Sequence, residues 1–308
     1  MFCTVVIPTI ARDSLIRAVD SVLNQITGAS FELIVVNDSG RTLPPAAWQQ
    51  DPRVQVIATQ GRERCVARNT GAALARGRYL IFLDDDDWLL PGALQVFYDL
   101  ARAQPAAWLY GASQLTDAAG VCLYQFDHQI NGNGLTPVMA GEWVPLQSSV
   151  ISADVFFAEG AFDLSMPAGQ DKDILARVAL KHDMSGTATP VTAILRGEWA
   201  SSTDYDRGAA DILRSREPIL DQSGSFARLR ASAPTSYWQG RLLKIFLISV
   251  VWNLRRWHVL KTIGRLFQSL ASVILAGPHL LSADYWQALL HPHLTLGFSP
   301  APEGGSGA

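Results

Sequence analysis

A short apolar run that ends in four consecutive aspartates constrains the fold of this chain more than any other stretch. Residues 79–83 are Tyr-Leu-Ile-Phe-Leu, which has the length and composition of a strand buried on both faces. The aspartates occupy positions 84–87 directly after it, and Trp88 follows. In open α/β sheets, ligands bind outside the carboxyl ends of the strands, so the sequence predicts a chemical site at this point.

The four aspartates favour a divalent cation as their partner. Neighbouring carboxylates repel one another, and a loop fixed at the end of a buried strand keeps them close unless a cation offsets the repulsion. Mg²⁺ and Mn²⁺ prefer carboxylate oxygens and typically take one or two of them together with phosphate and water. The alternative is a solvated acidic loop that caps a helix starting near Pro91, since carboxylates are favourable at helix N-termini. This stretch alone leaves both interpretations open.

Length and composition indicate a globular chain. Its 308 residues are 48% hydrophobic and 17% charged, which suits one sizeable core with an appendage and excludes a disordered protein. The net charge of -3 hides an asymmetry, because residues 222–283 contain no Asp or Glu. The basic residues in that segment are Arg228, Arg230, Arg241, Lys244, Arg255, Arg256, Lys261 and Arg265.

The cysteines and the N-terminus suit a reducing compartment. Cys3, Cys65 and Cys122 are widely spaced and odd in number, which excludes a disulfide framework and a cysteine metal site. No charged leader with an apolar core and a small-residue cleavage site precedes the first strand-like run, so we expect no secretory signal.

Strand-like and helix-like stretches alternate through the first hundred residues. Helical spacing covers 14–24, 66–75 and 93–103, and strand-like runs cover 4–7, 31–36, 54–58 and 79–83. This order predicts a mostly parallel sheet with helices on its faces, and it brings the polar residues after each strand to one edge. Those residues include Asp38, which alone is more typical of a turn. Arg62, Arg64 and Arg68 suit a diphosphate beside a bound metal, or an ordinary solvated helix face.

Six short motifs in register resemble the family 2 glycosyltransferases, which have the GT-A fold. They cover about ninety residues and comprise Val5-Val6-Ile7-Pro8-Thr9 with Arg12, Ser21-Val22-Leu23-Asn24-Gln25, Ile34-Val35-Val36-Asn37-Asp38-Ser39, Ala67-Arg68-Asn69-x-Gly71, Gly77-x-Tyr79, and Phe82-Leu83-Asp84-x-Asp86-Asp87-Trp88 with Pro91. Each motif is weak alone, but the set is specific. The resemblance implies a Rossmann-like α/β domain, with a mostly parallel mixed sheet flanked by helices, that transfers a sugar from a nucleotide donor with a metal ion.

The resemblance also implies roles for the residues at the strand ends. Thr9 and Asp38 would contact the nucleobase, and Asp84 the ribose. Asp86 would bind the Mn²⁺ or Mg²⁺ that bridges the two phosphates, with Asp87 as an additional ligand. The donor-binding group as a whole is Pro8, Thr9, Arg12, Asp38, Arg64, Arg68, Asp84 and Asp85.

A second acidic segment resembles the part of the family that carries the general base. The family usually has Glu-Asp where this chain has Gln170 and Asp171, so Asp171 is the candidate base for an inverting transfer. Asp171 is equally a reasonable residue for a helix start, and the two roles are compatible. Further along, Glu198 stands where the family usually has His, and a surface Glu is favoured there over a replacement ligand. Ile10-Ala11, Asn37 and the segment 62–64 also depart from the family pattern, which bears on the donor base and sugar more than on the fold.

The C-terminal third carries no family motif. Residues 237–270 are basic and apolar at helical spacing, and a second run covers 266–281 without charge. Polar residues and Gly277-Pro278 interrupt these runs, so we expect no transmembrane helix but rather helices on an anionic membrane surface. Packing on the catalytic domain or on another subunit is the alternative, and nucleic acid is not an expected partner. We therefore expect a catalytic domain over 1–205, with a donor half up to residue 100, a helical extension over 206–296 and a disordered tail over 297–308.

The functional hypothesis is an inverting, metal-dependent glycosyltransferase of cell-surface polysaccharide biosynthesis in bacteria. Its favoured donor is a UDP-sugar, and its acceptor is a glycan or a polyprenyl-linked glycan at the inner face of the plasma membrane. A sugar nucleotidyltransferase is one alternative, although residues 8–11 lack the expected Gly-rich phosphate loop. A catalytically degenerate binding protein is another, because Gln170 and Glu198 depart from the family.

Overall fold

The computed structural model describes residues 1–61, 63–127, 130–142, 144–166, 169–195, 210, 216, 218–290 and 299–300. It has a curled, mostly parallel mixed sheet flanked by helices, which confirms the predicted α/β class. The strands are β1 Cys3–Thr9, β2 Phe31–Asn37, β3 Val54–Ala58, β4 Tyr79–Phe82, β5 Trp88–Leu89, β6 Trp108–Thr116, β7 Cys122–Phe126, β8 Ser149–Ser152, β9 Met184–Leu195 and β10 Ser299–Pro300.

Helices cover both faces of the sheet and form the C-terminal part of the described chain. They are α1 Leu15–Leu23, α2 Arg64–Leu74, α3 Ala93–Ala103, α4 Leu135–Met139, α5 Ala153–Ala158, α6 Gln170–Lys181, α7 Ser225–Ser232, α8 Thr235–Arg255, α9 Val259–Ala276 and α10 Ala283–Leu290. Short 3₁₀ turns lie at Ala47–Gln50, Leu146–Ser148 and Gly277–Leu281.

The N-terminal half of the sheet is parallel, in the order β4-β1-β2-β3. Val5 of β1 lies opposite Leu33 of β2 and Ile81 of β4, so the three strands end at the same edge. Alternate apolar residues face opposite sides: Val5, Leu33 and Ile81 pack with α1 and α3, whereas their chain neighbours pack with α2 and α6. This burial of both faces explains the nearly unbroken apolar runs of the sequence.

The second half of the sheet is mostly antiparallel and continues from β4. β8 pairs with β4 and β6 in antiparallel fashion, and β7 also runs antiparallel to β6. β9 lies parallel to β6 along its other edge and pairs with the short β5. The pairing of β5 with β9 brings the segment after the aspartates against the end of β9.

The C-terminal helices differ in one respect from the expectation. The predicted run over 237–270 is interrupted where α8 ends at Arg255, because Trp257 has a positive φ of 58° and α9 starts two residues later. Val259–Leu281 then forms a 23-residue helical run with a mean hydropathy of 1.4, which by length and composition is enough to cross a membrane. The helix continues through the polar residues that the sequence indicated as interruptions, and the expectation of no transmembrane helix stays a prediction.

The predicted domain limits fall largely outside the described residues. The boundary near residue 205 lies there, as do Arg62, Glu198 and most of the tail. Within the tail, the two residues of β10 pair with Gln125 and Tyr124 of β7.

Candidate active site

The four aspartates follow β4 and turn back on themselves at the carboxyl edge of the parallel strands. Leu83 donates its backbone N–H to the Val6 carbonyl at 3.0 Å, which holds the end of β4 beside β1. The Asp87 N–H then donates to the Asp84 carbonyl at 3.1 Å and closes a turn. This turn brings one carboxylate oxygen from each of Asp84, Asp86 and Asp87 within 4.8 Å of one another.

Asp85 points to the end of β1 and holds the residues predicted there. Its Oδ2 accepts a hydrogen bond from the Thr9 hydroxyl at 2.6 Å, and its Oδ1 accepts one from Arg12 Nη1 at 2.9 Å. The same Arg12 nitrogen lies 2.8 Å from Asp86 Oδ2. Asp85 is 4% exposed with both oxygens engaged, so its contacts in this structure are with Thr9 and Arg12. Pro8 precedes Thr9 in the same strand, opposite Val36 of β2.

Arg68 and Gln147 orient Asp84. Arg68 lies on α2 with a buried side chain, and its Nη2 forms an ion pair with Asp84 Oδ1. Gln147 reaches the other oxygen of Asp84 from the 3₁₀ turn before β8, with its Nε2 at 2.8 Å. Arg64 begins α2 as an exposed residue whose charge lowers the pKa of Asp84. Arg64 and Arg68, two of the predicted arginines, therefore act on Asp84.

The pKa values of the cluster differ from residue to residue. Burial raises the pKa of Asp87 well above its usual range, and the charge of Asp84 adds to this effect. Burial and Asp84 likewise raise the pKa of Asp86, against the charge of Arg12. Burial also acts to raise the pKa of Asp84, but the charge and hydrogen bond of Arg68 prevail and lower it. Three converging oxygens that resist ionisation together fit a hard divalent cation, which would offset their repulsion.

Asp38 lies one strand away from Thr9 and organises a different loop. Its backbone N–H donates to the Thr9 carbonyl at 2.8 Å, so it extends the β1–β2 pairing by one residue. Its Oδ1 accepts hydrogen bonds from the Thr59 hydroxyl at 2.7 Å and from the Gly61 N–H at 3.1 Å. Asp38 therefore borders the same sheet edge but shapes the segment that leads to α2.

Asp171 lies in the first turn of α6, after Gly169 with its φ of 77°. The Asp171 charge acts on Arg68. Burial by itself lowers the pKa of Arg68, but the negative charges of Asp84 and, to a smaller extent, Asp171 outweigh burial, so the pKa of Arg68 is raised overall. No residue of the described chain is a hydrogen-bond partner of the Asp171 carboxylate. Gln170 beside it is buried, and its Nε2 donates to the Met166 carbonyl at 2.8 Å, which is a structural contact. A cavity of about 20 Å³ borders Asp171 and is lined by Trp108, Val138, Gly141, Glu142, Val144, Lys172 and Leu175.

The structure adds three groups that the sequence reasoning missed. The Arg17 guanidinium stacks 3.7 Å from the centre of the Trp88 ring, next to the aspartates. Gln147 contacts Asp84 as described, and the Leu195 backbone N–H donates to Asp87 Oδ1 at 2.9 Å. Gln147 and Leu195 are more than sixty residues from their partners in sequence, so no local motif signals either contact.

Comparison with protein families and curated proteins gives a consistent match. The family model described as glycosyl transferase family 2 matches residues 4–120. The putative colanic acid biosynthesis glycosyl transferase WcaA of Escherichia coli (strain K12) is 30% identical over 212 residues, which covers 62% of this chain and 71% of that protein. The succinoglycan biosynthesis protein ExoO of Rhizobium meliloti (strain 1021) is 38% identical over 99 residues, covering 31% of this chain. The match spans only 28% of the length of ExoO.

A solved structure shares the fold at low sequence identity. The crystal structure of S. aureus TarS 1-349 in complex with UDP-GlcNAc superposes with a TM-score of 0.59 at 13% identity. The match covers 90% of this chain and 92% of that one. At this identity the similarity concerns the fold, which agrees with the GT-A expectation.

Proposed function

The chain belongs to the family 2 glycosyltransferases, and from that membership we propose an inverting, metal-dependent transfer from a nucleoside-diphosphate sugar to a hydroxyl acceptor. The observation that carries the proposal is the convergence of Asp84, Asp86 and Asp87 beside Arg12, Arg64 and Arg68 at the carboxyl edge of the parallel strands. A UDP-sugar is the favoured donor, and TarS, which shares the fold, binds UDP-GlcNAc.

The donor roles follow from where each side chain lies. Thr9 and Asp38 border the strand ends where a nucleobase would lie, and Asp84 is fixed in its anionic form as an acceptor for a ribose hydroxyl. Arg64 is exposed beside the cluster and suits a diphosphate, because a guanidinium pairs with phosphate oxygens. Arg68, already paired with Asp84, holds that carboxylate in place. Asp85 keeps Thr9 and Arg12 in position.

Asp86 and Asp87 are the proposed metal ligands. Asp86 is the more accessible of the two, with its side chain 39% exposed. A bound Mn²⁺ or Mg²⁺ supplies Lewis-acid stabilisation to the diphosphate leaving group. The backbone N–H of Leu195 holds Oδ1 of Asp87, and one carboxylate oxygen of Asp87 lies within 4.8 Å of oxygens of Asp84 and Asp86.

Asp171 is the proposed general base. As the acceptor oxygen attacks the anomeric carbon, the Asp171 carboxylate takes the hydroxyl proton, and the nucleoside diphosphate leaves from the opposite face. A carboxylate without a hydrogen-bond partner in the described chain, close enough to Arg68 for the two charges to interact, suits this role.

The acceptor is proposed to be a glycan or a polyprenyl-linked glycan, used at the inner face of the plasma membrane. WcaA and ExoO carry names from polysaccharide biosynthesis, which supports an acceptor of this class. A cytoplasmic, peripheral location agrees with the basic C-terminal helices and with an expected anionic membrane partner.

Thermal stabilisation by a panel of nucleoside diphosphates and nucleotide sugars, with and without Mn²⁺, tests the donor site. A ligand at about a hundred times its Kd should raise the Tm by about 5 °C, because ligand that binds the folded state adds to its stability. The shift should occur with one base, depend on the metal, and disappear in Asp86→Ala. Asp20→Ala, an exposed aspartate of α1, serves as the control and should keep the shift.

The same panel separates the alternatives. A shift that is equal in wild type and Asp86→Ala would contradict the metal assignment. Binding without metal-dependent release of the nucleoside diphosphate would favour a degenerate binding protein. Conversion of a nucleotide sugar and added pyrophosphate into a nucleoside triphosphate and a sugar 1-phosphate would favour a nucleotidyltransferase.

A further inference from the structure

The hairpin of α8 and α9 packs with small and polar side chains on its inner face. These are Ser249, Asn253, Thr262, Ser269 and Ser272, each at most 8% exposed. Three of them bond to their own helix: Asn253 Nδ2 donates to the Ser249 carbonyl, and the hydroxyls of Thr262 and Ser269 donate to carbonyls four residues earlier. These buried positions are small or polar, and an apolar cluster of Leu243 of α8, Val273 and Ala276 of α9 and Tyr285 of α10 also packs the hairpin.

Large apolar side chains cover the outer face of the same hairpin. On α9 they recur at a spacing of three and four residues and are 45–69% exposed, and on α8 four more are 37–62% exposed. We call these nine residues the outward stripe: Leu247, Ile248, Val251, Leu254, Ile263, Leu266, Phe267, Leu270 and Ile274. A contiguous apolar surface of this kind is unusual for a protein in water. Small polar residues inside and apolar residues outside are typical of helices packed in lipid.

The charges around the outward stripe favour an anionic lipid surface. Arg255, Arg256 and Lys261 are exposed at the turn between α8 and α9, and Trp257 between them is 86% exposed. No Asp or Glu occurs from residue 222 to residue 283. Basic residues next to apolar side chains and an exposed Trp suit the interface of a bilayer with anionic headgroups.

After α9 the chain returns to the start of α8. The backbone of Tyr285 in α10 lies against Gly240 near the start of α8, where a Cβ would be 2.3 Å from the Tyr285 carbonyl oxygen. That part of α8 is fixed to the catalytic domain through the ion pair of Arg241 with Glu142 at 3.1 Å. A crossing by α9 alone would place α10 on the far side of the membrane and break its contact with Gly240, so this contact favours a hairpin whose two ends stay on one side of the bilayer.

We infer that the α8–α9 hairpin lies in one leaflet of an anionic phospholipid bilayer. The outward stripe enters the acyl region, and the basic turn meets the headgroups. The role of the hairpin rests on the proposed function: it would hold the acceptor side of the catalytic domain near a lipid-linked glycan. The packing, the charges and the return of α10 carry it without that function.

Flotation of the full chain with vesicles tests the inference. The vesicles contain phosphatidylcholine alone or with phosphatidylglycerol, and the variant is the double substitution Phe267→Ser, Leu270→Ser. Both side chains are exposed, so the variant keeps the packed face and its fold. Vesicle binding should fall by at least about tenfold, because two large apolar side chains no longer enter the lipid. The control Ile16→Ser, Ile26→Ser removes two exposed apolar residues outside the hairpin and should bind as wild type does.

Charge and activity measurements complete the test. Arg255→Gln, Arg256→Gln, Lys261→Gln should reduce binding to anionic vesicles by on the order of a hundredfold at low salt. Metal-dependent donor hydrolysis without acceptor should be unchanged in both hairpin variants, so a failure of membrane binding is distinguishable from a failure of the proposed reaction. The inference would be overturned if the wild-type protein bound neither type of vesicle. So would a wild-type dimer in gel filtration that becomes monomeric in Phe267→Ser, Leu270→Ser.

Discussion

Asp84 and Asp87 lie three positions apart, but different groups surround them. Asp84 is paired with Arg68 and Gln147, so its carboxylate stays anionic although burial opposes the charge. Asp87 has a backbone N–H as its partner and faces the charge of Asp84, so its pKa is raised. Asp84 therefore acts as a fixed anion, and a cation at Asp86 and Asp87 would offset the burial and the charge repulsion that raise the pKa values of those two residues.

At the same scale, Asp171→Asn tests the proposed base. The variant keeps the size of the side chain but cannot accept the hydroxyl proton, so kcat for sugar transfer should fall by about 10²- to 10⁴-fold. Donor binding, measured by metal-dependent thermal shift, should be unchanged. The control is Asp154→Asn, which alters an exposed aspartate in the first turn of another helix, α5, and should transfer sugar at the wild-type rate. Equal losses of transfer in both variants would remove Asp171 from the base role.

The sequence predicted which residues form the site, but it did not predict all the contacts between them. The aspartates, Thr9, Arg12 and Arg68 were named in advance because strand ends and short motifs are local features, and the structure brings these side chains together. The Gln147 contact with Asp84 was not predicted, because it depends on how β8 lies beside β4. The assigned roles of the individual residues stay predictions.

At the scale of elements, a buried carboxylate joins the first two strands to the turn before β4. Glu32 of β2 accepts hydrogen bonds from the Thr4 hydroxyl of β1 at 2.8 Å and from the backbone N–H of Arg76 at 2.7 Å. The Arg76 guanidinium also pairs with it, while the Thr4 oxygen accepts from the Gly77 N–H at 2.9 Å. These bonds fix the position of the residues directly before β4, and hence the point along the sheet at which β4 ends and the aspartates begin.

Glu32→Gln should lower the free energy of unfolding by about 1.5–3 kcal/mol at pH 7, since hydrogen bonds to a charged group are lost. Burial acts to raise the pKa of Glu32, but its bonds with Arg76 and Thr4 lower it overall. A lowered folded-state pKa gives stability that is present above the pKa of the unfolded chain, roughly pH 4, and is lost as the pH falls further. The difference in free energy of unfolding between Glu32→Gln and wild type should therefore become smaller as the pH falls below about 4, and urea unfolding at several pH values measures it.

The control for this prediction is Asp99→Asn, which alters an exposed carboxylate of α3. The free energy of unfolding of Asp99→Asn should equal that of the wild-type protein at every pH. A gap for Glu32→Gln that stays constant down to pH 3 would show that the side-chain shape, and not the charge, supplies the stabilisation.

The sequence predicted a helix or strand well where its apolar residues are the ones buried in the protein. The helix over 93–103 was predicted with the bounds that the structure gives, because Ala93, Leu94 and Phe97 form its buried face. The C-terminal helices follow a different rule. Residues 237–270 are apolar at helical spacing, but Phe246 of α8 is buried, whereas the residues of the outward stripe are exposed. Periodicity finds an apolar face, but it does not say whether protein or lipid covers that face.

At the scale of the whole molecule, a buried charge network connects the catalytic domain with α8. Glu142 pairs with Arg241 at 3.1 Å and accepts a hydrogen bond from the Tyr237 hydroxyl at 3.3 Å. Glu142 also lines the cavity that borders Asp171. Lys244 lies one turn further along α8, and its Nζ is buried without a hydrogen-bond partner in the described chain. The network therefore places one carboxylate against two cations at the joint between the candidate base and the hairpin.

Removal of the carboxylate should weaken this joint, whereas removal of the second cation should strengthen it. Glu142→Gln leaves Arg241 and Lys244 buried without a counter-charge, so the free energy of unfolding should fall by about 3–5 kcal/mol. Lys244→Met removes the unpartnered ammonium at similar length and should raise stability by about 1 kcal/mol at pH 7. Burial, together with Arg241, lowers the pKa of Lys244 to about 8. Between that pH and about 10.4 the unfolded chain binds more protons, so wild-type stability should rise with pH.

Urea unfolding at pH 7 and at pH 9 measures both effects. The rise in stability should be absent from Lys244→Met, because the ammonium that loses its proton on folding is gone. A rise of the same size in wild type and Lys244→Met would assign it to another group. Unchanged stability in Glu142→Gln would mean that water reaches the two cations, and α8 would then be joined to the catalytic domain by its apolar contacts alone.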